Sequence, residues 1–410
     1  MRLIFICNEA PYPANHGGRV DVWRRLCALK AAGVEIFLVF WSGDRRDEMP
    51  TEWALGAMRE QVSGLNFYVI ERSIFQRIIR LLRLFRWPSH VASRVLAAKD
   101  RAELLTLIQA FKPDAVWLES IYGGILASEV ADAEDIPMVC RSHNIEHLYM
   151  RRQVAKATSL RDRLVWGLNL LHLHNFELAT LRHATRFFDI SIDDLRFWKD
   201  AGMNNGEWLP PMVDPIFAAR LSSPREEEPN FDVGYLGNLF APNNVDGVMW
   251  LLEEVIGRLR AVRPTLRIFI AGSRPVEKII AAAHKHGVCL IMDPDDVVPI
   301  LRDARVLVNP VFSGSGVNVK SVEMLFSPSQ LVSTTQGLTG LPAEVTRHFR
   351  CADTPEDFST QVLEALDAPD NDFTADRDAA REKFSSSRAE QLVRSMREYI
   401  KQHEKSGACA

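Results

Sequence analysis

Short apolar runs alternate with amphipathic segments along this chain, and the alternation occurs twice, on either side of a proline-rich break. Such a pattern buries its apolar faces as a mostly parallel sheet covered on both sides. In the first half, residues 3–7 read as a buried strand. Residues 20–31 read as a helix with Val20, Trp23 and Cys27 on one side, and 35–41 as the next strand. Further strands are expected at 66–70, 115–118, 138–140 and 186–190. The break runs through Trp208-Leu-Pro-Pro-Met-Val-Asp-Pro215 and the charged stretch 222–229. A strand at 231–236 restarts the pattern. Val248, Leu251, Leu252, Val255, Ile256 and Leu259 then keep the spacing of one helix face. Val276, Ile279, Ile280 and Ala283 mark the next helix. Strands at 266–271, 288–292, 305–309 and 331–334 complete the half, and Leu392, Val393, Met396 and Ile400 suggest a closing helix. The expected fold class is α/β, with two Rossmann-like domains at 1–207 and 231–383, a linker at 208–230 and a C-terminal segment at 384–410. Parallel sheets bind ligands at the carboxyl ends of their strands, so a cleft faced by both sheets is the expected site.

A chain of 410 residues is long enough for two such domains, and its 47% hydrophobic and 25% charged content excludes disordered and fibrous classes. No run reaches the roughly 18 apolar residues of a membrane span, and the N-terminal apolar run stops at Asn8, too early for a signal peptide. The net charge of -4 gives no drive toward nucleic acid. Residues 1–200 hold 27 basic and 24 acidic side chains, the remainder 22 and 29, so the first half is the one suited to an anionic surface. Six scattered cysteines without a C-x-x-C read as reduced thiols of a cytoplasmic protein, and no structural zinc is expected.

Three glycine-bearing turns could carry anion chemistry. Asn8–Arg19 joins the first strand to the first helix and contains Gly17 and Gly18. There the choice lies between an anion cradle and a turn that needs only the freedom of glycine. The segment Gly234–Asn244 occupies the same place in the second domain, with Gly237, Asn238 and Asn243, and with Asn244 as a helix N-cap. The strongest is Asn309–Glu323. A strand end leads into Gly314-Ser315-Gly316-Val317-Asn318, and a helix starting near Val317 carries Lys320 in its first turn. N–H donors, a positive helix end and a cation suit a phosphate. The loop approaches a Walker A pattern, but Val319 stands where that pattern has glycine. Glu323 either bonds a sugar or ribose hydroxyl or forms a surface pair with Lys320.

Two further segments stand out. Cys140-Arg-Ser-His143-Asn144-Ile-Glu146-His147 follows a strand. His143 is placed to position or deprotonate an acceptor hydroxyl, with a locally satisfied histidine as the plain alternative. His143, Glu146 and His147 also match the inverted zinc-protease spacing, although the rest of the chain is not protease-like. Residues 72–99 hold seven basic side chains and no acidic ones. Wound as a helix, Ile74, Phe75, Ile78, Leu81, Leu82 and Phe85 gather on one side, with Arg77, Arg80, Arg83 and Arg86 outside it. Such a helix lies in a membrane interface with its arginines on anionic lipid, or packs on its sheet with a solvated arginine face.

Taken in order, these segments resemble the GT-B glycosyltransferases of the retaining family 4, the glycosyl transferases of group 1. The resemblance covers nearly the whole chain, from Gly17-Gly18 through Gly237 and Asn243 to Gly314-Ser-Gly-x-x-x-Lys320-x-x-Glu323. It includes the segment from Val288 to Leu301, with Met292, Asp293 and Asp296 beside the nucleotide base. The resemblance implies transfer of a sugar from a nucleotide sugar, UDP- or GDP-linked, to a glycan or lipid-linked acceptor, without a metal or other cofactor. The second domain would hold the donor and the first the acceptor, with the final helix crossing back. Lys320 would neutralise the leaving diphosphate, aided by Gly316 and, after closure, Gly17 and Gly18. Glu323 would bind the ribose, and His143 the transferred sugar or acceptor hydroxyl. Arg77, Arg80, Arg83, Arg86 and Asn144 belong to the acceptor and membrane side. The expected location is cytoplasmic, peripheral on the inner face of the membrane.

The sequence departs from the family at three points. Ser315 stands where many members have glutamate, Asn238 and Asn244 where many have basic residues, and Met292 in place of a glycine. A nucleotide-sugar epimerase of the same fold and a non-catalytic partner subunit are the rival readings. A dinucleotide oxidoreductase would want G-x-G-x-x-G after the first strand, and Asn15-His-Gly-Gly-Arg19 does not supply it.

Overall fold

The computed structural model describes the chain except residues 15–16, 158, 226, 315, 370–373 and 408–410, and the side chains of 374–375 and 406–407. The chain divides into two compact units, Met1–Pro210 with Ser387–Ala410, and Pro211–Ser386.

The first unit is built on a seven-stranded parallel sheet of order β3-β2-β1-β4-β5-β6-β7. Its strands are β1 (Arg2–Cys7), β2 (Glu35–Gly43), β3 (Gly64–Ile70), β4 (Ala115–Glu119), β5 (Met138–Ser142), β6 (Arg186–Asp189) and β7 (Gly206–Trp208). The central strands are apolar throughout because helices cover both of their faces: Leu3, Ile4, Phe5 and Ile6 of β1 are wholly buried. In register, Cys7 of β1 lies beside Glu119 of β4, and Glu119 beside Arg141 of β5. Buried charges therefore enter the sheet only at its carboxyl edge. The helices of this unit that matter below are α1 (Gly17–Ala31), α2 (Ile74–Arg83), α3 (Ser89–Ala92), α4 (Glu146–Lys156) and α5 (Leu160–Leu170).

The second unit repeats the plan with a six-stranded parallel sheet, β10-β9-β8-β11-β12-β13. Its strands are β8 (Phe231–Leu236), β9 (Ile268–Gly272), β10 (Cys289–Met292), β11 (Ala304–Asn309), β12 (Gln330–Ser333) and β13 (Arg350–Cys351). Helices α6 (Pro215–Ser222), α7 (Pro242–Trp250), α8 (Val298–Arg302) and α9 (Val319–Leu325) frame its carboxyl and amino edges. Helix α10 (Ser387–Gly407) packs on α1 of the first unit, and Tyr399 donates to Glu207 at 2.6 Å.

Four sequence expectations change. Strands β7 and β13 are three and two residues long, too short to show a period-two signal. The helix read from Val248 to Leu259 is interrupted by a wider π turn at Leu251–Val255. Residues 208–230 are not an extended linker: Trp208 ends β7, and Pro215–Ser222 is helical. There Asp214 accepts from the Phe217 N–H at 2.8 Å, so the Asp-Pro pair is an N-cap followed by proline at the first helical position, a start rather than a break. Lastly, Gly17 and Gly18 open helix α1 rather than forming the turn before it.

Candidate functional site

The two sheets each have one switch point, where consecutive strands lead away in opposite directions: β1/β4 in the first unit and β8/β11 in the second. Ligands of open parallel sheets bind outside the carboxyl ends at such points. Both switch points carry charged side chains.

At β8/β11 the central group is Lys320. Its ammonium donates to the Tyr235 hydroxyl and to Asn244 Oδ1, both at 2.9 Å, and lies 4.6 Å from the centre of the Tyr235 ring. Both of these hydrogen-bond partners are neutral, and the residue itself retains some exposure. Burial pulls the Lys320 pKa down to about 7, against a smaller opposing pull from Glu323. Helix α9 holds the lysine from below. Asn309 at the end of β11 donates to Ser321 Oγ at 2.9 Å, and Ser321 donates to the Gly337 carbonyl at 2.6 Å. Gly237 is required here for space: a Cβ on it would stand 2.5 Å from the Tyr235 hydroxyl and 3.2 Å from Lys320 Nζ.

The other residues expected at this edge are placed as follows. Asn244 is not the helix cap; α7 starts at Pro242. Instead Asn244 Nδ2 donates to the Asn238 carbonyl at 2.9 Å while its oxygen receives Lys320. Asn238 Oδ1 accepts from the N–H groups of Phe240 and Ala241 at 3.0 and 3.1 Å, closing the loop on itself. Asn243 lies in the first turn of α7, partly exposed. Gly316, in the left-handed region at φ 66°, and the buried Val317 precede the helix. Helix α9 begins at Val319, two residues later than expected, because Asn318 caps it by accepting the Lys320 N–H at 3.1 Å. Gly314 is exposed, and Ser315 lies outside the described residues. Glu323 is partly buried and shares a small pocket with Lys320, Leu236 and Met324.

In the base-side loop Met292 is exposed and Asp293 receives the Arg274 N–H at 2.9 Å. Asp296 is taken up structurally. It pairs with Arg220 of α6 and accepts the Val298 N–H at 3.1 Å, and this pairing lowers its pKa. Asp296 therefore ties α6 to the start of α8, an explanation independent of a base. A larger hollow lined by Arg225, Phe231 and Asp303 opens at the opposite, amino end of this sheet. Its two arginines are taken up by main-chain carbonyls, Arg225 by that of Arg302 and Arg302 by that of Arg220, both at 3.1 Å.

At β1/β4 the buried cluster consists of Asp21 from α1, Arg25 one turn later, Glu119, Arg141 and His143. Arg25 bridges Asp21 at 2.5 Å and Glu119 at 3.0 Å; Arg141 reaches Asp21 at 3.4 Å. His143 Nε2 is 2.7 Å from Glu119 Oε1, and Trp117 Nε1 donates to the other Glu119 oxygen at 2.6 Å. Burial alone would raise both carboxyls, but Arg25 and His143, joined at Asp21 by Arg141, hold Asp21 and Glu119 below the usual range. Burial lowers Arg141 to about 10. His143 is the partly exposed member of the cluster, its ring fixed from beneath by Glu119. Asp21, Glu119 and His143 bring one ligand atom each within 4.8 Å of one another. The two buried arginines already neutralise the carboxylates, a poor setting for a cation.

The inverted zinc-protease arrangement does not assemble. His147 Nδ1 is 2.6 Å from Glu177, and Glu146 accepts from the Tyr122 hydroxyl at 2.7 Å, while His143 turns to Glu119. Asn144 hydrogen-bonds Glu146, whose pKa burial raises to about 7. Gly17 and Gly18 are exposed at the start of α1, and Arg19 pairs with Glu9 at 2.5 Å.

Helix α2 does not follow the sheet-packed reading. Ile74, Phe75, Ile78, Leu81, Leu82 and Phe85 are 52 to 84% exposed, so the helix does not pack its apolar face on the sheet. Arg83 points inward and donates to the Ala92 and Val95 carbonyls at 3.1 and 3.0 Å. Arg80 donates to the Glu71 carbonyl, and burial lowers the pKa of both. Only Arg77 and Arg86 of the four expected lipid-facing arginines are exposed. Among the described residues no helix is long and apolar enough to cross a membrane.

Sequence reasoning missed Tyr235 and the buried partners Asp21, Arg25 and Glu119. Tyr235 sits two residues before Gly237 on a strand, where a tyrosine is ordinary core. Asp21 and Arg25 at i, i+4 read as a surface helix pair; burial alone sets them apart.

Residues 230–368 match the family described as Glycosyl transferases group 1. The chain is 26% identical over 351 residues to an uncharacterized 44.6 kDa protein in the cps region of Klebsiella pneumoniae, covering 83% of this chain and 84% of that one. Its fold is similar to Anabaena HepE in complex with UDP, with a TM-score of 0.63 at 10% identity, covering 96% of this chain and 99% of that one. It is likewise similar to sucrose-phosphate synthase from Thermosynechococcus elongatus, with a TM-score of 0.64 at 12% identity and full coverage of both chains. A glycosyltransferase from Rickettsia africae gives 0.62 at 8% identity, with 98% of each chain covered. The two-unit fold is that of the GT-B proteins, and the match to the group 1 family lies within the second unit.

Proposed function

We propose that the protein is a retaining, family 4 glycosyltransferase that moves a sugar from a UDP- or GDP-sugar to a glycan or lipid-linked acceptor in cell-surface polysaccharide synthesis. The observation that carries this reading is Lys320, a desolvated lysine held by neutral partners at the switch point of the group 1 domain. A diphosphate leaving group gains charge as the glycosidic bond breaks. A preorganised cation in a dry niche stabilises that charge more than water does. Its depressed pKa means that binding of the anion draws a proton onto Lys320, so the cation is completed by its own substrate. The reading assigns the ribose to Glu323 and a sugar or acceptor hydroxyl to His143. It gives Gly17, Gly18, Gly237, Gly314, Ser315 and Gly316 to close approach of the diphosphate. It calls on no metal or other cofactor. HepE binding UDP and UDP-glucose and the relative in a cps region support the donor class and the polysaccharide context. The exposed apolar face of α2 supports a peripheral position on the cytoplasmic side of an anionic membrane.

The test is melting of the protein with UDP, GDP, TDP or NAD, then sugar transfer by Lys320→Ala. A ligand at about 100 times its Kd adds roughly 2.7 kcal/mol. One nucleoside diphosphate should raise the Tm, the rise should vanish in Lys320→Ala, and that variant should lose about 100- to 1,000-fold in kcat/KM. A rise with NAD alone overturns the transferase. No rise with any ligand favours the non-catalytic partner.

A further inference from the structure

Helix α5 breaks the rule for a helix at the surface of a unit. One side, Trp166 and Leu170, packs on the first unit's core. The opposite side should be polar. Instead Leu160 is 84% exposed and Leu164 66%, and Val165, Leu168 and Leu171 are exposed beside them. Leu160, Leu164, Leu168 and Leu171 follow the i, i+4, i+8, i+11 spacing of one stripe. A helix apolar on both sides is one with something on both sides. The charges around it point to what that is. Residues 151–163 hold Arg151, Arg152, Lys156, Arg161 and Arg163 against the single acid Asp162. All five basic side chains are exposed, and α4, which carries three of them, packs against α5. Both α5 and α2 also pack on α3, so the two helices that carry exposed apolar stripes share one short helix as a neighbour.

We propose that α5 is a second membrane-contacting element, and that α2 and α5 together form one bipartite surface for an anionic bilayer. This rests on the peripheral-membrane reading of α2 and extends it to a segment of ordinary composition. The occupant is lipid because it meets both needs at once: an apolar phase for the leucine stripe and anionic headgroups for a basic rim with almost no acids. Arg161 flanks the stripe and can run its stem along it while its head stays at headgroup level. Two elements also constrain more than one. A single amphipathic helix lets a protein swivel, whereas two fixed on the same unit set its orientation on the surface.

The experiment is co-sedimentation of the full chain with vesicles of phosphatidylglycerol and phosphatidylcholine in equal parts, at low and high salt. The variants are Leu164→Ser/Leu168→Ser in α5, Phe75→Ser/Leu82→Ser in α2, and all four together. All four positions are exposed, and unchanged melting confirms that each variant folds. The expected result is a fall in partitioning of about tenfold for each pair and loss of binding for the four together. If the α5 variant binds like the unaltered chain while the α2 variant does not, the second element is wrong and the membrane reading stands. If the unaltered chain fails to bind at low salt, both are wrong. If the α5 variant changes only the mass of the protein in sedimentation velocity, the stripe is covered by a second copy and the proposal is overturned.

Discussion

The charged cluster at β1/β4 and the lysine niche at β8/β11 occupy equivalent places in two similar sheets, yet they are built on opposite principles. Asp21, Glu119, Arg25 and Arg141 neutralise one another within 3.4 Å, and the pairing keeps the acids ionised. Lys320 has neutral oxygen partners, and burial takes its pKa down. A buried ion cluster that closes on itself holds an element in place, here the orientation of His143. An ammonium bonded to neutral oxygens, with only a weaker pull from Glu323, is costly to bury, and on the proposed reading an arriving anion offsets that cost.

Substitution of Arg25 is the most damaging way to break that contrast. Arg25→Met leaves two carboxylates buried beside a single, poorly placed arginine, and the first unit should lose about 3–5 kcal/mol. Hydrogen-exchange protection of the β1 and β4 amides reads the loss in that unit alone. A change below about 1 kcal/mol would show that the cluster is not charged as described.

Gly237→Ala strikes the other site. The new Cβ would collide with the Tyr235 hydroxyl and crowd Lys320. The expected cost is about 1–3 kcal/mol, together with weaker binding of the nucleoside diphosphate. Binding at unaltered affinity would show that the niche does not hold the anion.

The subtlest distinction is one of pH. A lysine with a folded pKa near 7 and an ordinary value of 10.5 makes the unfolded chain hold a proton that the folded chain has lost between those limits. Stability from this group therefore rises with pH from about 7 to 10.5 and is at its lowest below 7. Lys320→Met in the ligand-free protein should melt higher than the unaltered chain at pH 6, and the gap should close toward pH 10. The carboxylates of the other cluster act in the same sense but in the acid range. Their contribution is complete above the ordinary carboxylate range and is lost as pH falls through their depressed values. A gap that does not depend on pH would remove the desolvation account of Lys320.

The parallel sheets were legible in the chain because a strand covered on both faces has an unbroken apolar middle, as residues 3–7 of β1 and 306–308 of β11 show. Lys320 and Gly237 were legible as candidates because they belong to glycine-bearing turns that follow strands, and His143 because it follows a strand end directly. The short edge strands β7 and β13, and the helix start hidden in Asp214-Pro215, were not, since two or three residues carry no periodicity and proline ends helices more often than it begins them.

Sequence by itself determined which residues are apolar, their spacing, and hence the two α/β units and the turns at their strand ends. Tertiary structure decided which way each face points. On α2 five apolar residues face outward, as does Phe85 just past its end, while Arg80 and Arg83 turn in to main-chain carbonyls. On α5 an outward leucine stripe is invisible to any measure of amphipathicity because the inward side is apolar too. The reason is physical: periodicity records that a helix has two sides, while only the packing of distant segments settles which side meets protein and which is left for something else.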